Sequence, residues 1–210
     1  MSTTFMDFTN KLAELFSRFP GIGQRQAKRF VFFLLSQDQN FVEDLTKQIS
    51  NLKKTASTCE SCFRFFFGRF KEEKLCNICR DEKRTDTLMI VSREIDLENI
   101  EKSGQFTGKY FVLGGTIPIL DKMPYKKVKM GKLLERIKKD GAAGKLKEII
   151  IAMDFNPEGE NTSILLKREL SAFAEKYKFN VSTLGKGLSL GTELEYSDPE
   201  TIKNALQGRH

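Results

Sequence analysis

All four cysteines of this chain lie between residues 59 and 79, as two pairs, Cys59-Glu60-Ser61-Cys62 and Cys76-Asn77-Ile78-Cys79. Nothing else in the sequence restricts local structure as much. Each Cys-x-x-Cys pair can bend round one side of a tetrahedral ion, and a short loop brings the second pair opposite. A disulfide-stabilised protein would spread its bridges through the fold, and a reducing cytosol would not keep them oxidised. A redox dithiol would need only one pair. The reading favoured is one structural zinc per chain, bound by Cys59, Cys62, Cys76 and Cys79. Four unmetallated thiols and an iron–sulfur cluster are the alternatives. Four closed ligands leave no open position, so such a zinc would not be catalytic. The nearby cations Arg64, Arg69, Lys74 and Arg80 would offset thiolate charge.

The rest of the chain divides around this knuckle. Leu12, Leu15, Phe16 and Phe19 form a helical stripe, with Thr9 or Asn10 as its cap. Pro20, Gly21 and Gly23 stop that helix. A second is expected over 24–36 on Ala27, Phe30, Val31, Leu34 and Leu35, and a third over 40–56 on Phe41, Leu45, Ile49 and Leu52. After the knuckle, short apolar runs at 88–91, 110–113, 149–152 and 179–184 read as buried strands. Helical patterns at 96–102, 131–139 and 161–178 alternate with them, which implies βαβ units and a mostly parallel sheet. A long loop, 114–130, separates two of these elements and reads as functional or mobile. The fold class expected is multidomain α+β: a helical domain at 1–57, a zinc knuckle at 58–84, an α/β domain at 85–178 and a C-terminal segment at 179–210.

Three further motifs bear on chemistry. Phe19-Pro20-Gly21-Ile22-Gly23-Gln24-Arg25-Gln26-Ala27-Lys28-Arg29 joins two helices by a Gly-x-Gly hairpin. A helix starting there presents free N–H groups and the positive end of its dipole, which suits a phosphate. Gly21 and Gly23 permit close approach, and Arg25, Lys28 and Arg29 add cations. A plain helical turn with a solvated basic face is the competing reading. Asp154, Glu158 and Glu160 follow the run 149–152, where α/β sheets hold functional groups. They suit Mg²⁺ or a basic partner, or else a solvated loop with a helix start, where acidic side chains favour the dipole. The glycine-rich stretch 184–196 lacks the Gly-Lys-Ser/Thr order of a phosphate-binding loop for nucleotides.

In this order the segments resemble the RecR family of bacterial recombination mediators. The resemblance covers nearly the whole chain. It rests on a helix–hairpin–helix at 11–36, the four-cysteine knuckle, a Toprim-type domain at about 87–175, and a C-terminal segment ending Asn204-Ala205-Leu206-Gln207-Gly208-Arg209. The stretches Gly104-Gln105-Phe106-Thr107-Gly108-Lys109-Tyr110 and Glu158-Gly159-Glu160 add to it. The resemblance implies rings, dimers or tetramers, that act with RecO and RecF to load RecA onto gapped DNA. It places Arg25 and Arg29 at DNA-contacting positions and the cysteines as zinc ligands. One departure stands out. Toprim enzymes carry a catalytic Glu at the end of the first strand and an Asp-x-Asp after a later one; here Ser92 takes the first position, Glu94 lies two residues on, and Asn156 replaces the second Asp.

Composition narrows the class further. Thirty-five Lys and Arg against 28 Asp and Glu give +7 and a pI near 9.2, which favours an anionic partner. The single histidine, His210, leaves no imidazole for a buried catalytic site. No apolar run is long enough for a membrane span, and no secretory leader is expected, which points to the cytoplasm. Three readings compete. The first is a non-enzymatic, sequence-independent DNA-binding accessory protein with Arg25, Lys28, Arg29, Gly21 and Gly23 on DNA and Asp154, Glu158 and Glu160 on a partner. The second is a Mg²⁺-dependent nuclease or phosphotransferase using Glu94, Asp154 and Glu158. The third is a protein-interaction module with secondary DNA contact. The sequence leaves Mg²⁺ binding open.

Overall fold

The structure, a computed structural model, describes residues 2–68, 72–120, 123–185, 191, 193–197 and 199–207. The chain forms two compact units, 1–56 and 57–210.

The first unit is all helical: α1 Ser2–Phe16, α2 Gln24–Leu35 and α3 Gln39–Thr55. Asp38 caps α3 by accepting the Phe41 N–H at 2.9 Å. Helix α1 starts well before the expected cap. Thr9 and Asn10 lie inside it, and the Thr9 hydroxyl donates to the Met6 carbonyl instead. The seam between α1 and α2 is narrow. Ala13, Ala27 and Val31 are its buried residues, with Leu12, Phe16 and Ile22 against them. Two small residues let the helices approach closely there, so Leu15 and Phe19 of the expected stripe stay 54% and 57% exposed. Leu35, Ile49 and Leu52 are likewise more than half exposed.

The second unit is built on a four-stranded parallel sheet ordered β4-β3-β5-β6: β3 Thr87–Val91, β4 Lys109–Val112, β5 Glu148–Ala152 and β6 Asn180–Thr183. In register, Ile90 of β3 lies between Phe111 and Ile151. Alternate residues face opposite ways along a strand, and both faces are buried. Leu88, Ile90, Phe111, Ile149 and Ile151 share a core with α6 Met130–Ala142 and α7 Pro157–Tyr177. Met89, Val91, Tyr110, Val112 and Ala152 face the other way, towards Leu97 of α5 Glu94–Ser103. Strand β6 draws residues 180–183, expected in the C-terminal segment, into the sheet.

The knuckle completes the cover of that second face. Its two-stranded sheet, β1 Ala56–Thr58 with β2 Phe65–Phe67, precedes a single helical turn, α4 Asn77–Arg80. Cys59, Cys62, Cys76, Phe66 and Ile78 share one core with Met89, Val91 and Tyr110. The Val112 N–H donates to the Cys62 carbonyl at 2.8 Å, so β4 hydrogen-bonds directly to the knuckle. Arg136 of α6 is 9% exposed and donates to the carbonyls of Ser61, at 3.1 Å, and Tyr110, and its Nε meets Asp140 at 3.2 Å. Residues 58–84 therefore pack as part of the α/β unit. Arg84, where the knuckle ends, grips Glu101 of α5 with two nitrogens and the Gly108 carbonyl at 3.0 Å.

The loop 114–130 is pinned where its residues are described. Ile117 is fully buried; its N–H donates to Thr162 and its carbonyl accepts from Asn161, both on α7. A 3-10 turn, Pro124–Lys126, and the last helix, α8 Pro199–Gln207, complete the elements described. Residues 186–190 and 192 of the glycine-rich stretch, and the final Gly208, Arg209 and His210, lie outside the described residues.

Candidate functional site

The four cysteines converge. Cys59, Cys62 and Cys76 are buried and Cys79 is partly so, with all four sulfurs within 4.8 Å of one another. Cys62 Sγ and Cys76 Sγ are 3.6 Å apart. A tetrahedral site with bonds of ~2.3 Å has sulfur–sulfur edges of about 3.8 Å, so the donor set fits a metal ion. The first pair sits on a turn in which Phe63 adopts φ 62° and donates its N–H to the Cys59 carbonyl at 2.9 Å. The second pair is set by α4, whose N-cap is Cys76. The Cys76 N–H points at Cys59 Sγ, 3.4 Å away, which suits a thiolate. As free thiols the four cannot ionise together. Hydrogen bonds from Cys62, Cys76 and Cys79 pull the Cys59 thiol down, and the same contacts with burial push Cys62 up. A bound cation relieves this conflict by holding all four as thiolates. Three of the four expected counter-charges are paired elsewhere: Arg64 with Glu94, Lys74 with Glu60 and Arg80 with Glu73. Arg69 lies outside the described residues.

The Gly-x-Gly hairpin joins α1 to α2 as the spacing implies. Gly21 has φ 75°, which favours glycine there. Gly23 is the N-cap of α2, in extended backbone, and makes no side-chain cap; among the described residues no side chain accepts from the first N–H groups. A Cβ at either glycine would meet nothing within 4 Å, so the backbone is open to a ligand. Arg25, Lys28 and Arg29 are exposed and make no side-chain ion pair or hydrogen bond among the described residues. The hairpin thus brings together an uncapped helix start and three free cations.

At the carboxyl ends of β3 and β5 the expected acids are dispersed among cations. The buried Ser92 hydroxyl donates to Asp96 at 2.6 Å, and the Arg93 N–H donates to the same oxygen at 2.8 Å, closing the start of α5. Arg93 Nη2 meets Asp154 at 3.1 Å. Glu94 faces Arg64 at 3.8 Å; burial pushes its carboxyl above the usual range, opposed by the Phe65 N–H and the Arg64 charge. Glu94 and Asp154 therefore each face an arginine.

Glu158 and Glu160 lie in the first turn of α7, which begins four residues earlier than expected. Asn156 caps that helix by accepting the Gly159 N–H at 2.8 Å, and Pro157 occupies its first position, where a missing N–H costs nothing. Two acids there complement the dipole. Glu158 accepts the Thr116 hydroxyl at 3.0 Å, tying α7 to the loop after β4. Sequence reasoning missed the role of Gly159 between them. A Cβ at Gly159 would lie 2.0 Å from the Asp154 carbonyl oxygen, so this turn closes only on a glycine.

Comparison with known proteins matches the family models "RecR, helix-hairpin-helix" over 9–53, "Toprim domain" over 86–185 and "RecR, C-terminal" over 187–210. The chain is 34% identical to the recombination protein RecR of Prochlorococcus marinus (strain MIT 9313), covering 94% of this chain and 98% of that protein. It is 35% identical to that of Tropheryma whipplei (strain Twist), covering 91% of each. With that of Lactobacillus acidophilus (strain ATCC 700396 / NCK56 / N2 / NCFM) the identity is 32%, covering 94% of each.

The geometry at Gly159 gives a direct expectation. Gly159→Ala should destabilise the protein by about 1–3 kcal/mol through forced displacement of the 154–156 turn, and Asn156→Ala by about 1 kcal/mol through loss of the cap. Urea unfolding followed by circular dichroism measures both. A Gly159→Ala protein as stable as wild type would show that the turn relaxes freely.

Proposed function

The chain belongs to the RecR family of recombination proteins, and from that premise we propose a non-enzymatic DNA-binding accessory role in recombinational repair. In this reading the protein acts in the bacterial cytoplasm with RecO and RecF to load RecA at gapped DNA. The observation that carries it is the hairpin: an open, uncapped start of α2 beside the exposed Arg25, Lys28 and Arg29. Such a site grips phosphates and reads no bases, so it serves duplex and gapped DNA of any sequence.

Side-chain pairing at the Toprim strand ends supports the absence of catalysis. A phosphoryl-transfer site needs carboxylates grouped around metal ions. Here Ser92 stands at the glutamate position, Asn156 caps a helix, and Asp154 and Glu94 face arginines. The acids fit a docking role better. Glu160 and Asp154 line a cleft of about 410 Å³ together with Phe155 and Ile164, 59% and 66% exposed, and the exposed Glu158 lies in the same first turn of α7 as Glu160. An apolar patch rimmed by acids suits a basic protein partner, and RecO is the partner assigned here. Asp154 takes part in this lining while engaged by Arg93.

The same reading makes the protein a homo-oligomeric ring. The helical unit buries few apolar side chains and exposes Phe8 by 70%, Phe32 by 59% and Phe33 by 52%. That much exposed aromatic surface calls for a second copy to cover it. The metal is assigned as one structural zinc per chain.

Three outcomes follow. Arg25→Ala and Arg29→Ala should each weaken binding to unrelated DNA sequences alike and lower the salt slope by ~0.9 on duplex; fluorescence anisotropy at several salt concentrations measures this, and unchanged binding in both would leave the basic face merely solvated. Cys76→Ser should strip the metal and lower the thermal midpoint, since binding and folding are coupled; metal analysis with calorimetry reads both, and a folded, metal-free wild type would refute the assignment. Glu158→Ala and Glu160→Ala should impair capture by immobilised RecO without Mg²⁺-dependent cleavage of plasmid DNA by the wild type. Cleavage that disappears in Glu94→Ala or Asp154→Ala would restore the enzyme reading.

A further inference from the structure

The knuckle carries a second feature that neither the metal nor the Toprim sheet explains. Residues 63–71, Phe-Arg-Phe-Phe-Phe-Gly-Arg-Phe-Lys, contain five phenylalanines, three cations and no acid. Within them, β2 alternates sharply. Phe66 is 6% exposed and packs among the cysteines, whereas Phe65 and Phe67 are 59% and 65% exposed. Period-two alternation puts these two rings on the same side of the ribbon. Folding does not require them there, since burial of Phe66 alone supplies the ribbon's contact with the core.

We propose that Phe65 and Phe67 form a stacking platform for unpaired bases of single-stranded DNA. Two residues of a strand advance about 6.7 Å, close to two of the ~3.4 Å steps between nucleotides of one DNA strand. Bases stack on aromatic side chains without regard to sequence, and cations beside them track the phosphates. The strand beneath the two rings is tethered at several points. The Cys59 N–H donates to the Arg64 carbonyl at 2.9 Å, the Phe63 ring packs 5.3 Å from that of Phe111, and Glu94 holds both the Phe65 N–H and the Arg64 side chain. The metal-binding turn, the sheet and α5 thus all fix β2, so little ordering entropy is lost on binding. With Arg64 held by Glu94, the segment still carries Arg69 and Lys71 and no acid of its own, which favours a polyanion over an apolar protein face. This assignment rests on the DNA-binding reading of the chain but uses different residues from the hairpin. It gives the protein a means of distinguishing a single-stranded gap from the duplex beside it, which phosphate contacts alone do not provide.

The test compares three labelled DNAs of one length by anisotropy: an oligo-dT, its abasic counterpart with the same phosphates, and a duplex. Wild-type protein should bind oligo-dT about tenfold or more tightly than the abasic strand. The double variant Phe65→Ala/Phe67→Ala should lose that preference while keeping duplex affinity and metal content, and Phe65→Tyr/Phe67→Tyr should restore it. A wild type that binds dT and abasic strands equally overturns the proposal without any variant. So does a double variant that keeps the dT preference, that loses duplex binding in equal measure, or whose only change is a different oligomer size by native mass spectrometry. The last would make the patch a contact between copies. Failure of the hairpin reading is separable: it would appear as unaltered duplex binding in Arg25→Ala and Arg29→Ala, whatever the dT preference.

Discussion

A parallel sheet must be covered on both faces, because its strands carry apolar side chains on each. In this protein one face is covered by two long helices and the other by one ten-residue helix and a knuckle. Met89, Val91 and Tyr110 pack against Cys59, Cys62, Cys76, Phe66 and Ile78. The knuckle is too small to hold a core of its own, so its shape rests on the four sulfurs. Cover for one side of the sheet therefore depends on the cysteine cluster. The hydrogen bond from Val112 to Cys62 and the buried Arg136 fasten the two together.

That dependence ties the cysteine cluster to the sheet and to the start of α5. The cysteine turn fixes β2; β2 fixes Phe66 in the core and leaves its neighbours outside. The start of α5 lies against the same ribbon, where Glu94 meets Arg64 and the Phe65 N–H. A position two residues from the Toprim glutamate site is thereby committed to structure. Asp154 is committed similarly by Arg93. At these strand ends the acids pair with arginines or occupy the first turn of a helix.

The helical unit follows a different logic. Its two-helix seam is built from small residues, and many of its large side chains remain at the surface. Its hairpin has no steric crowding at either glycine, and the cations after it are unengaged among the described residues. An open helix start and exposed cations are groups that suit an anion.

Local rules made much of this legible in the sequence. The paired Cys-x-x-Cys spacing, the Gly-x-Gly break between apolar stripes and four short apolar runs separated by helical periods each depend on neighbours a few residues apart, and each appears in the structure. The end of α2 and the core strands fall within a residue or so of expectation. Boundaries set by capping were less visible. The start of α7 at Pro157 is signalled by Asn156, Pro157 and the acids after them, yet the apolar period alone places it at Asn161. What tertiary structure alone decided was pairing over long separations. Arg93 reaches Asp154, 61 positions away, and Thr116 reaches Glu158. Arg136 joins Ser61 to Tyr110, and the Asp154 carbonyl excludes any side chain at residue 159. Residue types and spacings determine which groups are available within a turn or two of chain. Which charges remain free depends on what the fold brings within about 4 Å of them, and no local pattern encodes that distance.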